Sequence, residues 1–157
     1  MTYREWNILP GYAREEEIRQ LFTEYTNMVL AGDPAFAEYL AQQHYEEELA
    51  HPARKYAPPH GRLYLVCMGS TPVGCIALKA LDDTRCEMKR LYVRPEYRGQ
   101  GIARALARHA EKRLAARGVG CLYLTADDAI PFWQQLGYRR TGRINEKNEL
   151  EELEKPL

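Results

Sequence analysis

The stretch from Cys86 to Thr125 constrains the fold more than any other part of the chain. A β-rich run over 86–93 is followed by Pro95 and Gly99, then by an amphipathic helical pattern from about Gly101 to Arg117, stopped by Gly118. A second β-rich run covers 119–125. Two strands joined through a helix in this way lie parallel, linked by a right-handed crossover, because a tight hairpin joins only antiparallel neighbours. The chain is therefore expected to be α/β, and its 157 residues suit one domain.

The flanking segments surround this unit with antiparallel strands and helices. Tyr3 to Leu9 reads as a short first strand closed by Pro10 and Gly11. Ile18, Leu21, Phe22, Tyr25 and Val29 recur at helical spacing and predict a helix ending near Gly32. Asp33 and Pro34 start a second helix that runs through Phe36, Leu40 and Leu49. Pro52, Pro58, Pro59 and Gly61 impose an irregular connection. The β-rich runs 62–68 and 73–78, separated by the turn residues Gly69, Ser70, Thr71 and Pro72, predict a hairpin, and Asp82 and Asp83 mark the next turn. After the crossover, 129–136 reads as a short helix closed by Gly137 and 139–144 as a strand. Residues 149–155 fit either a last strand or a frayed, charged tail.

Formal charge is zero, with 22 basic and 22 acidic side chains, but it is unevenly spread. Residues 1–84 are net −5, residues 85–117 net +7 and residues 118–157 net −2. The positive block coincides with the strand, turn and helix of the crossover. In the turn, Arg98-Gly99-Gln100-Gly101-Ile102-Ala103, the glycines allow a ligand close to the backbone, and the first-turn amides of the helix lack internal partners. Together with the positive dipole end, these make an anion site. One dipole contact contributes only ~0.3–1 kcal/mol when exposed. Several amides, helped by Arg98 and Arg104, are needed to hold a phosphate, so the pattern points to a diphosphate-bearing cofactor. On their own, Gly99 and Gly101 fit a plain tight turn equally well. A Walker A loop is absent, and the dinucleotide fingerprint fails because its third glycine position is Arg104.

The wider pattern is more specific. Arg98-x-x-Gly101-x-Ala103, preceded by Leu91, Tyr92, Val93 and Pro95, resembles the R/Q-x-x-G-x-G/A motif of the Gcn5-related N-acetyltransferase (GNAT) superfamily. Downstream, Ala129, Phe132, Trp133, Gly137 and Tyr138 are similar to the family element A-x-x-F/L-Y-x-x-x-G-F. The resemblance covers 62–141 closely, the N-terminal helices of about 12–50 loosely, and the tail of 142–157 least. It implies an α/β GNAT fold: a mixed, mostly antiparallel sheet with a splayed parallel pair, flanked by helices. It also implies an acetyl-CoA-dependent N-acetyltransferase with no metal. By the same resemblance, the cofactor pyrophosphate lies on Arg98, Gly99, Gln100, Gly101, Ile102, Ala103 and Arg104. The pantetheine arm pairs with the strand at Leu91, Tyr92 and Val93, in a gap opened by a β-bulge, and Arg94 is a further basic side chain near the phosphates. Arg108, Lys112 and Arg113 read as solvated surface.

An acceptor amine with a lysine-like pKa is neutral in only about one molecule in 2,500 at pH 7, so a general base helps. Glu87 is the candidate; the histone-acetyltransferase branch of the family carries its base glutamate at the same offset before the motif. The alternative is a structural ion pair with Lys89 or Arg85. Strict strand alternation puts Glu87, Lys89, Leu91 and Val93 on one face and Cys86, Met88, Arg90 and Tyr92 on the other. Many family members use a tyrosine as general acid where this chain has Trp133, whose indole gives up no useful proton. Trp133 is then expected beside the cofactor arm or in the core, with Tyr123, Tyr138 or water as the proton donor. Asp127 and Asp128 read as caps of the following helix, or as contacts to a cationic substrate.

The expected acceptor is a small-molecule or peptide amine reached by direct attack in a ternary complex, since Cys86 should point away from Glu87. Two rival readings are a non-catalytic CoA-binding or sensing module and a nucleic-acid binder using the basic block. The neutral total and the lack of interleaved aromatics argue against nucleic acid. No apolar run approaches ~20 residues, so no membrane span is expected. Cys67, Cys75, Cys86 and Cys121 form no CxxC pair, and His44, His51, His60 and His109 have no metal-ligand spacing. With no apolar leader at the start, a reduced, cytoplasmic protein is the expectation. Many members of the family dimerise, which carries the expectation of a homodimer.

Overall fold

The computed structural model describes residues 5–126 and 129–157; Tyr3, Asp127 and Asp128, and the readings placed on them, lie outside. Among the described residues seven strands form one sheet: β1 (Trp6–Pro10), β2 (Gly61–Met68), β3 (Thr71–Ala80), β4 (Arg85–Val93), β5 (Cys121–Ala126), β6 (Arg139–Ile144) and β7 (Glu151–Pro156). Their spatial order is β1-β2-β3-β4-β5-β7-β6. Every neighbouring pair is antiparallel except β4 and β5, as the crossover requires. The sheet is thus mixed and mostly antiparallel, with one parallel pair.

Each face of the sheet has its own core. On one side the crossover helix α5 (Ile102–Ala115, the fifth in chain order) and the short α6 (Ile130–Gln135) bury Ile102, Leu106, Ala110, Leu114, Trp133 and Leu136 against Val66, Ile76, Leu78, Met88, Leu122 and Leu153. On the other, α1 (Glu15–Gly32) buries Ile18, Leu21 and Phe22 against Leu63, Leu65, Cys75 and Ala77. Each such aliphatic or aromatic side chain withdrawn from water contributes roughly 1.5–3 kcal/mol. Cys67, Cys75 and Cys86 are buried as small apolar side chains, and Cys121 is partly so.

One element differs from the pattern-based expectation, and one open alternative is decided. The second helix is not continuous: it breaks into α2 (Phe36–Gln42), α3 (Tyr45–Ala50) and α4 (Pro52–Lys55). The break falls at His44, whose left-handed φ of 56° turns the chain. Phe36, Tyr39 and Leu40 then pack with Val29, Leu30 and Tyr45, while Glu48 is directed under the sheet and fully buried. The tail is an interior strand rather than a frayed end. β7 pairs with β5 on one side, Leu124 opposite Leu153, and with β6 on the other, Arg140 opposite Leu153. Its charges are matched across the β6–β7 ladder by Arg140–Glu151 at 2.5 Å and Arg143–Glu152 at 2.9 Å, and Lys155 reaches Glu111 of α5 at 2.8 Å.

Because Leu153 is fully buried in the α5-side core, L153A should destabilise the protein by about 2–5 kcal/mol, read as a lowered midpoint in urea unfolding. A loss below about 0.5 kcal/mol would mean that the tail frays in solution.

Candidate active site

The site grows out of an irregularity in β4. Against β3, Tyr92 faces Cys75 and Lys89 faces Ala77, so β4 carries an extra residue between these rungs. Arg90 sits in that bulge with φ of 58°, a left-handed conformation that a non-glycine side chain rarely adopts. Its carbonyl accepts a bond from the Cys75 thiol at 3.4 Å. The bulge breaks the expected alternation. Cys86 and Met88 lie in the α5 core, as do Leu91 and Val93 beyond the bulge, whereas Arg90 and Tyr92 contact the α1–α3 side. Glu87 and Leu91 therefore do not share a face: one inserted residue moves every later side chain across the sheet.

The same strand leaves β5 early. Parallel pairing covers only Arg85–Cys121, Cys86–Leu122 and Glu87–Tyr123, and no rung follows. Beyond Glu87 the edge of β4 that faces β5 has no strand partner, so a gap opens toward the end of the strand. At Val93 the Arg94 N–H still donates to Val73 of β3 at 2.8 Å, so by alternation the Val93 backbone faces the open edge. There the Val93 carbonyl accepts a bond from Arg98 Nε at 2.8 Å.

At the mouth of the gap the chain passes through a 3₁₀ turn (Pro95–Tyr97) into the glycine loop. Gly99 and Gly101 have φ of 79° and 87°, so a side chain at either would be strained although open space surrounds both. The first helical bond of α5 is Ala105 N–H to Gly101 at 3.0 Å. Before it, the amides of Gly99, Gln100, Gly101, Ile102, Ala103 and Arg104 donate to no acceptor among the described residues. Unpaired donors in succession at a 14-residue helix start suit an anion with several oxygens.

The other end of the gap meets a cleft of about 840 Å³ lined by Tyr39 of α2 and Gln43 just after it, Leu81 of the β3–β4 turn, Arg85 and Glu87 of β4, Tyr123 of β5, and residues of the β6–β7 hairpin. Glu87 forms no ion pair among the described residues; Arg85 is held by Asp82 at 2.8 Å instead. The paired-glutamate alternative is thus not what the structure contains. Beside Glu87, Tyr123 Oη accepts a bond from Asn145 Nδ2 at 3.3 Å. Burial, with the Glu152 and Glu87 carboxylates adding, pushes the Tyr123 phenol up to about 12, so it keeps its proton at neutral pH. Cys86, across the sheet, is pushed up to about 11 by burial and by Glu87 and stays a thiol.

Comparison with known proteins agrees with this architecture. Residues 15–138 match the profile of the Acetyltransferase (GNAT) family. This chain is a GNAT protein. An uncharacterised N-acetyltransferase of Schizosaccharomyces pombe is 36% identical over 113 residues, covering 68% of this chain and 69% of the yeast protein. N-acetyltransferase 8F1 of Rattus norvegicus is 28% identical over 123 residues, 73% of this chain but only 55% of the rat protein. Among solved structures, the PaiA N-acetyltransferase of Thermoplasma acidophilum in complex with coenzyme A superposes with a TM-score of 0.79 at 20% identity, over 98% of this chain and 99% of the other. An aminoglycoside 6′-N-acetyltransferase complexed with coenzyme A gives 0.69 at 17% identity, over 96% of each chain. These likenesses establish a shared fold.

Within this GNAT frame part of the basic block is taken by internal partners. Arg94 forms a two-pronged pair with Glu24 of α1 at 2.8–3.2 Å and also donates to the Pro72 carbonyl, so it holds α1 rather than facing the loop. Arg98 lies 5.7 Å over the Tyr92 ring, and the Tyr92 hydroxyl bonds Glu24. Arg104 is exposed on the first turn of α5 and has no partner among the described residues. Trp133 is buried in the α5-side core, in edge-to-face contact with Phe132 and Tyr138. Tyr138 donates to Glu111 at 3.0 Å, and burial together with that carboxylate raises its phenol far above the usual value. Tyr138 is thereby committed to Glu111 within the α5-side core.

Pattern reading missed Lys89, Arg90 and Glu48. Lys89 is half-buried between sheet and helices with no hydrogen bond or ion pair among the described residues; burial first, then the Arg90 charge, lower its ammonium to about 8 from 10.5. The folded state thus binds this proton less tightly than the unfolded chain, so stability rises with pH between about 8 and 10.5. K89M should raise the melting temperature at pH 7, and the gain should shrink through that window. A pH-independent difference would show that Lys89 carries an ordinary pKa.

Proposed function

We propose that this GNAT protein transfers an acetyl group from acetyl-CoA to the primary amine of an acceptor by direct attack in a ternary complex, with Glu87 as general base. The observation that carries this reading is that β4–β5 pairing ends at the Glu87–Tyr123 rung. That places a carboxylate without an ion pair where the strand gap meets the cleft. The glycine loop lies at the other end of the same gap.

The residues fit the cofactor. The amides from Gly99 to Arg104 are unpaired donors, Arg104 is a free cation beside them, and the open edge of β4 at Leu91 and Val93 offers backbone groups for an extended amide-bearing arm. Ala103, partly buried against the α5 core, keeps the first helical turn free of bulk, and Trp133 supports that core from α6. When bound, acetyl-CoA supplies an activated thioester acetyl group. The chain's own residues then act on protons and position. Glu87 Oε accepts the proton that the acceptor amine must lose, and Tyr123 Oη, still protonated at neutral pH, is the donor on the same wall. Holding both reactants in line through the gap can supply up to ~7–11 kcal/mol, more than the base alone.

The cleft combines aromatic and aliphatic surface at Tyr39, Tyr123, Leu81 and Ile144 with carboxylates at Glu87, Glu146 and Glu152. Arg143 neutralises Glu152 at 2.9 Å, leaving Glu87 and Glu146 for a cationic group. An amine attached to an apolar body matches that wall.

In a steady-state assay with an accepted amine, E87Q should lower kcat by about 10²–10⁴ while the Kd for CoA, measured by calorimetry, stays within about threefold. An unchanged kcat would remove Glu87 from the mechanism. Tight CoA binding by the wild type with no amine in a broad panel stimulating CoA release would instead establish the non-catalytic module.

A further inference from the structure

We propose that Arg90 and Glu48 are positioning residues that hold the β4 bulge, and hence the cofactor gap, in its open form, and that Gln43 extends this clamp to the wall of the acceptor cleft. The inference rests on reading the β4–β5 gap as the CoA site.

Arg90 occupies the residue where β4 changes hand, and its left-handed φ of 58° is unfavourable for a side chain with a Cβ. Such a conformation persists only where the surroundings over-determine it. Here they do. The guanidinium forms a fork with Glu48, Nε to Oε2 at 2.8 Å and Nη2 to Oε1 at 3.0 Å, and lies 5.4 Å over the Tyr45 ring. The side chains are 3% and 0% exposed. Glu48 Oε1 also accepts from Lys55 Nζ at 2.6 Å. Burial acts against the carboxylate, but the Arg90 and Lys55 charges outweigh it and keep Glu48 ionised. A buried, forked ion pair is a poor source of net stability but a strict geometric constraint, since moving either partner leaves an unpaired charge out of water.

The constraint reaches both halves of the site. Through its backbone, Arg90 holds the bulge three residues beyond the last β4–β5 rung at Glu87–Tyr123, within the unpaired stretch of the edge. Through its side chain, Nη2 donates to Gln43 Oε1 at 3.1 Å, and Gln43 Nε2 donates to Tyr39 Oη at 2.6 Å. Gln43 and Tyr39 both line the cleft that Glu87 faces. One guanidinium therefore fastens the cofactor strand to the acceptor wall. The broken helix is what makes this geometry available, because the turn at His44 aims Glu48 at the underside of β4 while Gln43 stays at the cleft.

The test is CoA affinity by calorimetry in E48Q and R90G, beside L63A as a core variant whose side chain, on β2, belongs to the α1-side core and forms no hydrogen bond or ion pair with the clamp residues. E48Q keeps shape and removes charge; R90G relieves the backbone but removes the anchor. The expected result is CoA binding weakened about tenfold or more in both, with L63A within about twofold of wild type at a temperature where all three are folded by circular dichroism. Wild-type affinity in a folded E48Q would overturn the proposal. So would losses in E48Q that merely track its melting temperature along the line set by L63A. Should R90G not fold, E48Q alone decides. A wild type that binds no CoA would instead overturn the reading of the gap itself, a distinguishable failure.

Discussion

A guanidinium and a carboxylate meet beneath the middle of β4, both out of water, and either one without the other would leave a poorly compensated buried charge. Their meeting point is also where β4 takes its left-handed step and changes which side chains face which core, three residues beyond its last rung with β5. A regular β4 would continue the parallel ladder past Glu87 and close the gap. The bulge keeps the first rungs, which the sheet needs for its continuity, and releases the rest of the edge. The cleft beside Glu87, the unpaired strand edge and the glycine loop at its end all follow from that one departure.

The charge distribution acquires a structural meaning in the same way. Part of the positive block of 85–117 is spent inside the fold, while Lys112, Arg113 and Arg117 stay exposed with no ion pair among the described residues. Arg85, Arg90 and Arg94 are taken by Asp82, Glu48 and Glu24, all from the acidic first half of the chain. Arg108 is taken by Glu111, which also holds Lys155 and Tyr138. Pairing of this kind draws the N-terminal helices and the tail strand onto the crossover unit from opposite faces. It leaves Arg104, on the first turn of α5, as a free cation beside the unpaired amides. Among the described residues no helix is long and apolar enough to cross a membrane.

Much of the architecture was legible because it follows from periodicity and turn chemistry, both local. The crossover, the hairpin of β2 and β3, the glycine loop and the positions of Glu87 and Cys86 on opposite faces could all be read in advance. The break at His44 could not, since nothing in its neighbours forbids a longer helix; burial of Phe36, Tyr39 and Leu40 together with Glu48 favours the turn. Nor could the fate of residues 151–156. A charged, weakly apolar segment becomes an interior strand only when β5 and β6 offer it two edges and matching charges.

What the sequence determined by itself was the set of elements and the chemistry of the loop, because glycines at 99 and 101 and the hydrophobic spacing of β4 and α5 act within a few residues of themselves. What only the tertiary structure decided was which charged residues are free to do chemistry. Arg94 and Arg98 look alike with Arg104 in the chain, and Tyr123 looks like Tyr138, yet their partners come from segments far away in sequence. An ionisable group is available or consumed according to what folding places beside it, and that depends on contacts no local pattern contains.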